Sequence, residues 1–301
     1  MKKIVNILKQ YNIDIEKIEK RNDYYIVYSK NNKYLVLKRV RDISKIYSYF
    51  NSINYSYYLN SINSLEDDYL LFLFKDNITY DVIVRGKNEV ISLSKLQKSS
   101  VFLEDSDDTL LDNIYNDIKE KINKTRNYYL SLHDKIDEEN YLFPAKYLLI
   151  RNISSIYNLL NKSEYYLEKW YSNKDRKIRY SYLIMNNSLD NFIVSDSCYF
   201  ISFNNYKNDL IILDFYDFYK KNIHILDMNM MIDIYEENFL FTDNEKDLLY
   251  SLICIVDTIS FTNNNYNDVL VVRKTIDYCD KTIKFLLEEN KEDKKTYKEK
   301  L

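Results

Sequence analysis

The first part of the chain carries short apolar runs that are typical of β-strands. Residues 24–28 and 34–37 are rich in aromatic and branched side chains, and a polar turn separates them. This pattern predicts a β-hairpin. A helical segment is predicted over residues 42–59. The apolar runs 69–74 and 79–84, which a second polar turn joins, predict two further strands.

In most of the remaining chain, apolar residues recur every three or four positions, which is the period of an α-helix. This spacing, with acidic residues near its start, predicts a long helix over residues 107–138. Pro144 fits the first turn of a second helix, and a short third helix is expected to carry Trp170. The last helix is predicted around residues 272–287, and the charged tail 291–301 is expected to be solvated and frayed.

A compact β segment interrupts the helices. Residues 178–184 predict a strand, and the polar residues 186–191 predict a loop. Residues 192–194 and 199–203 are predicted to pair as a tight hairpin. A strand, a polar loop and a short hairpin therefore follow one another between helices.

Composition limits the classes of partner. The chain has 301 residues, enough for about two lobes, and 46% of them are hydrophobic, as in folded globular proteins. Its 43 basic and 46 acidic residues give a net charge of −3 and are dispersed, which argues against a nucleic-acid partner. No signal peptide is visible and no apolar run approaches the roughly 20 residues that cross a bilayer. We therefore expect a cytoplasmic protein with no membrane partner.

Scarce residue types exclude several chemistries. Gly86 is the one glycine, so phosphate-binding loops that need several glycines are excluded. Two histidines and three cysteines do not match the usual zinc spacings, and an odd number of cysteines argues against a disulfide framework. No metal-ligating residues are predicted.

The order of elements resembles the kinase fold, and more narrowly the aminoglycoside phosphotransferase and choline kinase superfamily, including its bacterial spore-coat (CotS-like) branch. The most specific stretch is 184–203, with support from residues 34–39 and 210–215. The resemblance implies an α+β, two-lobed protein-kinase-like fold. It implies a small β-rich N-lobe at residues 1–86 and a larger, mainly helical C-lobe at 87–290.

In such phosphotransferases a lysine on the third strand holds the nucleotide phosphates, and Lys38 matches that position. A strand-end lysine with a solvated head is an equally good interpretation. The lysine normally pairs with a helix-borne glutamate, yet between Arg39 and Leu65 the one carboxylate is Asp42. The resemblance therefore implies that the partner of Lys38 is missing.

The catalytic loop of the superfamily reads His-x-Asp, four residues, then Asn. The Asp positions or deprotonates the attacking hydroxyl, and the Asn, which Asn191 matches, ligates metal. Anchored on Asn191, this spacing places Asn186 where the catalytic aspartate stands, and a register one residue shorter places Asn187 there. Either residue is an amide, which accepts no proton near neutral pH, so general-base help of about 10²–10⁴-fold is lost.

After the hairpin, the superfamily carries an aspartate that bridges magnesium to the phosphates, and here Ser202 stands in its place. A hydroxyl is a neutral ligand, whereas Mg²⁺ is usually held by one or two carboxylates besides phosphate oxygens. As a loop group that has lost its catalytic partners, Ser202 is expected to be largely hydrated. The alternative is a shifted register, in which Asp190, Asp196 or Asp209 supplies the carboxylate.

Other polar residues have structural interpretations. Asp214 matches an acid that braces the catalytic loop in the superfamily. His133 is expected to pack or cap a helix, and His224 has no visible partner. The three cysteines sit among apolar neighbours, which suits buried thiols better than nucleophiles.

These observations favour a non-enzyme, a pseudokinase that acts as a binding or scaffold protein in the cytoplasm. Its partner would be a protein or a small molecule, and no cofactor is expected. The spore-coat branch implies a place within a forming spore. The alternative is a divergent ATP-dependent small-molecule kinase of the aminoglycoside or choline type, which would require ATP and Mg²⁺.

Overall fold

The computed structural model describes residues 2–21, 24–30, 32–38, 43–59, 63–65, 69–139, 141–173, 175, 177–262 and 264–299. The chain divides into two compact units, the first formed by residues 1–101 and 181–209 and the second by 102–180 and 210–301. These units are defined by compactness and need not coincide with the lobes of a kinase. The predicted lobe bounds 1–86 and 87–290 therefore stay a prediction.

Helices and strands alternate in the first third of the chain, and helices predominate after it. Up to residue 105 the elements are α1 (Lys2–Gln10), β1 (Lys17–Lys20), β2 (Tyr24–Tyr28), β3 (Lys33–Lys38), α2 (Ile43–Ser52), β4 (Asn63–Leu65), β5 (Tyr69–Leu73), α3 (Val82–Ser100) and β6 (Phe102–Asp105). The elements that follow are α4 (Asp108–Asp137), α5 (Pro144–Ser172), β7 (Lys177–Leu183), β8 (Phe192–Val194), β9 (Cys198–Phe200), β10 (Lys207–Leu210), α6 (Ile212–Asn222), α7 (Met228–Glu236), α8 (Asp243–Ile253) and α9 (Asn265–Glu299). A 3-10 helix, Leu189–Asn191, precedes β8.

The first unit is built around a five-stranded antiparallel sheet in the order β1-β2-β3-β5-β4. The predicted hairpin is formed by β2 and β3, with Tyr24 opposite Leu37 and Tyr28 opposite Lys33. One face of the sheet packs against α1, and the other packs against the hairpin of β8 and β9. Because both faces are buried, the central strands read as nearly continuous apolar runs.

The prediction of a strand over residues 79–84 is wrong, because α3 begins at Val82. Asp81 is its N-cap, and the side chain accepts hydrogen bonds from the backbone of Ile83 at 2.8 Å and of Val84 at 3.4 Å. The capping carboxylate satisfies backbone N–H groups at the start of the helix. This stabilisation of the helix outweighs the preference of the branched residues for a strand. The predicted helix 42–59 is also shorter, since α2 ends at Ser52.

The second unit is mainly helical. The predicted long helix is α4, which begins after Asp107, and Pro144 begins α5 as expected. The separate helix for Trp170 is wrong, because α5 continues to Ser172 and its buried face includes Trp170. The backbone of α9 stays helical to Glu299, which corrects the expectation of a frayed tail, since Lys and Glu are good helix formers.

The remaining strands follow the predicted order. The predicted strand 178–184 is β7, and β8 and β9 form the predicted hairpin, with Phe192 opposite Phe200. A three-stranded sheet has the order β10-β7-β6. The described chain is therefore of the expected α+β class. Among the described helices, none has an apolar stretch of the length and hydropathy needed to cross a membrane.

Candidate functional site

A polar cavity of about 560 Å³ lies within the first unit. Its walls come from β1, β2, the connection from β5 to α3, the N-terminal part of α3, and the chain around β8 and β9. The lining residues are Lys20, Arg21, Tyr24, Ile26, Tyr28, Phe74, Asp76, Asn77, Tyr80, Arg85, Asn186, Ser188, Asp190, Asn191, Ile193 and Ser202.

Three of the residues expected at the site, Asn186, Asn191 and Ser202, line this one cavity. Asn187 is fully buried and is not part of the lining, so the loop presents Asn186 to the cavity. The backbone of Lys38 ends β3 opposite Tyr69, but its side chain lies outside the described part of the structure. The vestigial roles of these residues stay a prediction.

Asn191 acts as a brace between the two halves of the site. Its Nδ2 donates to the backbone carbonyl of Asn186 at 3.0 Å and to that of Ser202 at 3.1 Å. Its Oδ1 accepts the backbone N–H of Ser202 at 2.9 Å. Because the side chain is buried, with 4% of Asn191 exposed, these bonds hold the loop and the chain after β9 in a fixed register.

Ser202 follows β9 and is almost fully buried, with 1% of the residue exposed. Its Oγ accepts the backbone N–H of Asn204 at 3.3 Å. From the sequence, Ser202 is expected to be a loop group that has lost its catalytic role and is hydrated. The structure corrects that expectation, because Ser202 is held under the Asn191 carboxamide.

The residue before Asn186 has an unusual backbone conformation. Met185 has φ 53°, in the left-handed region that non-glycine residues rarely occupy. Its carbonyl accepts a hydrogen bond from Asn205 Nδ2 at 3.2 Å. Left-handed conformations cost non-glycine residues about 1–2 kcal/mol, so the loop that carries Asn186 is strained.

The residues that the resemblance assigns to magnesium do not fit that ion. Asn191 and Ser202 offer an amide and a hydroxyl, both neutral, and the Asn191 Oδ1 already accepts a hydrogen bond. Mg²⁺ is usually held by one or two carboxylates and substrate phosphates. Within the described ranges, no group of three or more His, Cys, Asp or Glu residues could hold a metal ion.

Three carboxylates would supply the missing acid in a shifted register. Asp196 lies in the β8–β9 turn and pairs with Lys75 at 2.9 Å, which lowers its pKa. Asp209 pairs with Lys207 on β10 at 2.5 Å. Asp190 lines the cavity and is exposed, and its carboxylate forms no ion pair with a described side chain. Of the three alternatives, Asp190 alone reaches the cavity.

The cavity lining is rich in cations. Three cations, Lys20, Arg21 and Arg85, and two carboxylates, Asp76 and Asp190, line the cavity. Arg85 on α3 donates from Nη2 to the backbone carbonyls of the loop, including that of Phe192 at 3.4 Å. Its Nε is buried with no hydrogen-bond partner, which leaves a charged donor beside the cavity.

The connection between β5 and α3 is tied to the β8–β9 hairpin. Asn77 Oδ1 accepts the N–H of Val194 at 2.7 Å, and the N–H of Ile78 donates to the Val194 carbonyl at 2.8 Å. Tyr199 donates its hydroxyl to the carbonyl of Lys75 at 3.0 Å. Burial raises the pKa of Tyr199 to about 12, so it remains a donor. This wall of the cavity is therefore held by several independent bonds.

Other residues singled out in the sequence lie in the second unit. His224 does have a partner, contrary to expectation, since its Nδ1 lies 2.7 Å from Asp277 Oδ2. His133 lies on α4, and its Nε2 is 3.7 Å from Oδ2 of Asp137 on the same helix. Asp214 is fully buried in α6, and its bracing role stays a prediction.

The cysteines match the expectation of inert thiols in two cases. Cys254 and Cys279 are fully buried, and burial raises the pKa of both, that of Cys279 to about 12. Cys198 is half-buried in β9, where burial also raises the pKa of its thiol. A raised pKa lowers the fraction of reactive thiolate at neutral pH.

Comparisons with known proteins identify the fold. No model of a known protein family matches the sequence, and no curated protein matches it either. Among solved structures, an aminoglycoside phosphotransferase from Alicyclobacillus acidocaldarius matches with a TM-score of 0.70 and 8% identity, covering 96% of this chain and 95% of its own. Spectinomycin phosphotransferase bound to AMP matches with a TM-score of 0.61 and 14% identity, covering 94% of this chain and 98% of its own.

A second structure of spectinomycin phosphotransferase, in complex with ADP and spectinomycin, has a TM-score of 0.58 at 14% identity and covers 93% of this chain and 98% of its own. At such identities the likeness shows the fold. The chain has the kinase-like fold of the aminoglycoside phosphotransferases, which confirms the fold expected from its order of elements.

Proposed function

We propose that this protein is a catalytically degenerate phosphotransferase-like protein, a pseudokinase that binds a ligand or partner without transferring a phosphoryl group. The observation that carries the proposal is the use of the Asn191 carboxamide as a brace. Both its oxygen and its nitrogen bond the backbone around Ser202 and Asn186. In an active enzyme of the superfamily, the matching asparagine binds metal.

The second support is the absence of a base at position 186. The resemblance assigns this position to the aspartate that positions or deprotonates the attacking hydroxyl, and here it is an amide that faces the cavity. A carboxamide has no site that takes a proton near neutral pH. Asn186 can still accept or donate hydrogen bonds, which serves binding.

The third support is Ser202, where the resemblance places a metal-bridging carboxylate. A buried hydroxyl that already accepts a backbone N–H contributes no negative charge to hold a divalent cation. What the cavity retains is its volume and its cationic lining, which suit the binding of an anionic group. The resemblance to the spore-coat branch extends the proposal to a spore-related assembly in the bacterial cytoplasm.

Asp190 favours a second candidate function, a divergent ATP-dependent small-molecule kinase. This carboxylate lines the same cavity as Asn186 and is exposed, so it could replace the missing acid from a shifted position. The two functions differ in whether ATP is consumed.

The test is release of ADP from ATP and Mg²⁺ in the presence of aminoglycosides, choline and simple hydroxyl compounds. The proposal expects no release above a control without protein. Acceptor-dependent ADP release that disappears in Asp190→Asn, but persists in the exposed-surface control Asp196→Asn, would establish the divergent kinase instead.

A further inference from the structure

An exposed apolar strip lies at the edge of the polar cavity. Ile78, Tyr80, Val82, Ile83 and Val84, which we name the rim patch, are each between 38% and 84% exposed. Single exposed apolar residues are normal on protein surfaces, whereas a contiguous apolar patch marks a site of interaction. The five residues of the rim patch all lie within residues 78–84, so they are clustered exposed apolar residues rather than single ones.

The rim patch extends into the first turn of α3, whose residues are exposed. The buried face of α3 begins one turn further on, at Gly86, Glu89 and Val90. A helix on a protein surface normally turns polar residues to solvent. The first turn of α3 instead presents the apolar residues Val82, Ile83 and Val84.

The rim patch is also held in place before anything binds to it. The N–H of Ile78 donates to the Val194 carbonyl at 2.8 Å, and Asp81 caps α3. Ordering flexible residues weakens binding, so a preformed surface binds more tightly than a mobile one of the same composition. This favours a docking role for the rim patch.

The cavity beside the rim patch carries positive charge. Tyr80 belongs to both, because it also lines the cavity with Lys20 and Arg85. Neither cation forms an ion pair with a carboxylate of the described chain. Asp76 in the same lining is neutralised by Lys33. Arg21 in the lining likewise pairs with Glu19 at 3.5 Å. Among the described residues, this leaves the cations Lys20 and Arg85 and the exposed carboxylate of Asp190, an excess of one positive charge.

We propose that the rim patch and the cavity together dock a segment of a partner protein in which acidic residues adjoin apolar residues. The acidic side chains would enter the cavity towards Lys20 and Arg85, and the apolar side chains would cover the rim patch. A compact anion would fill the cavity but leave the rim patch exposed, which is why a chain segment fits both. This inference rests on the proposed function, because it assigns the cavity to a protein partner.

The test uses a phage-displayed library of random twelve-residue peptides, selected on the full chain. Labelled peptides from the selection are then measured by fluorescence anisotropy against variants. Ile83→Ser and Tyr80→Ser alter the rim patch, and Lys20→Gln alters the cavity charge. The controls are Tyr141→Ser, an exposed aromatic residue of the second unit, and Lys30→Gln, an exposed lysine of the β2–β3 turn.

We expect the selected peptides to be enriched in Asp or Glu next to Leu, Ile or Phe. Their affinity should fall at least tenfold in Ile83→Ser, Tyr80→Ser and Lys20→Gln, and should not change in the two controls. Peptides without acidic residues, peptides that bind all variants equally, or no binders at all would overturn the inference. So would a dimer in gel filtration that Ile83→Ser dissociates, since a second copy would then cover the rim patch. None of these outcomes alters the ADP-release result, which tests the proposed function separately.

Discussion

Asn191 and Ser202 are joined by two hydrogen bonds, one in each direction. The Asn191 Oδ1 accepts the backbone N–H of Ser202 at 2.9 Å, and its Nδ2 donates to the Ser202 carbonyl at 3.1 Å. The carboxamide therefore completes a backbone-like pairing between the polar loop and the chain after β9. Residues used in this way stabilise the fold, and their replacement is measurable as a loss of stability.

Asn191→Ala should lower the free energy of unfolding by about 1–3 kcal/mol, because buried backbone groups at Ser202 and Asn186 lose their partners. Asn191→Asp should also destabilise, since a carboxylate can accept the Ser202 N–H but cannot donate to the two carbonyls. Urea midpoints measure both. An unchanged midpoint in Asn191→Ala would mean that the Asn191 side chain does not stabilise the fold and is free for a ligand, which would contradict its role as a brace.

Replacement of Ser202 should have a smaller effect. Ser202→Ala removes the acceptor for the N–H of Asn204 in a buried position, and we expect a cost of about 1 kcal/mol. Ser197→Ala, in the exposed turn between β8 and β9, is the matched control and should fall within about ±0.5 kcal/mol. Equal midpoints for the two variants would show that Ser202 is hydrated after all.

Because the backbone of Met185 is strained, we expect the usual order of stability of alanine and glycine variants to be inverted at this position. Gly is normally less stable than Ala by about 0.5–1 kcal/mol, because it is more flexible in the unfolded chain. At φ 53°, glycine avoids a Cβ clash that costs about 1–2 kcal/mol. Met185→Gly should therefore be as stable as Met185→Ala or more stable. If Met185→Ala is the more stable by urea denaturation, the loop is not strained.

We expect the stability of the fold to depend on pH through Glu289. It lies in α9, and burial raises its pKa above the ordinary value of 4.5, although Tyr250 donates a hydrogen bond to it at 2.8 Å. A carboxyl group with a higher pKa in the folded state binds its proton more tightly when folded. Its contribution to stability is therefore greatest below pH 4.5 and falls as pH rises through the folded-state pKa.

Glu289→Gln keeps a side chain that can accept the Tyr250 hydrogen bond and removes the charge. This variant should be more stable than the natural protein at pH 7, and the difference should shrink towards pH 4. Urea unfolding across this range gives the measurement, with Glu237→Gln on an exposed position as the control. A difference in stability between Glu289→Gln and the natural protein that is the same at every pH would contradict a raised pKa of Glu289.

Trp170 tests the packing of the second unit. It is buried in α5, and truncation of a buried tryptophan typically costs about 3–5 kcal/mol. Trp170→Ala should therefore destabilise strongly, whereas Tyr141→Ala at an exposed position should fall within about ±0.5 kcal/mol. Similar midpoints for both variants would place Trp170 outside the core.

Local patterns predicted the elements whose signals are long or strictly periodic. The stripe of α4 is set by burial of one face of the helix, and the apolar runs of β2 and β3 are set by burial on both faces of the sheet. The strand predicted over 79–84 failed because its branched residues are exposed beside a capping Asp81. The short elements α1, β1 and β4 were missed, since their sequences are mixed or only a few residues long.

The site could be predicted in part. The resemblance to the superfamily predicted that Asn186, Asn191 and Ser202 share one site, and all three line one cavity. Spacing could not choose between Asn186 and Asn187, because the choice depends on which amide the loop buries. Nor could it show the brace at Asn191 or the exposure of the rim patch, which arise from contacts between segments distant in the chain.

We propose that the site has lost its support for a metal-bridged nucleotide, and the melting temperature with ATP, with and without Mg²⁺, tests this most directly. A ligand that binds the folded state raises this temperature according to its affinity. With Asn186, Asn191 and Ser202 all neutral, we predict that Mg²⁺ adds nothing to the shift produced by ATP alone, whatever the size of that shift. A large rise that depends on Mg²⁺ in the natural protein would contradict the account.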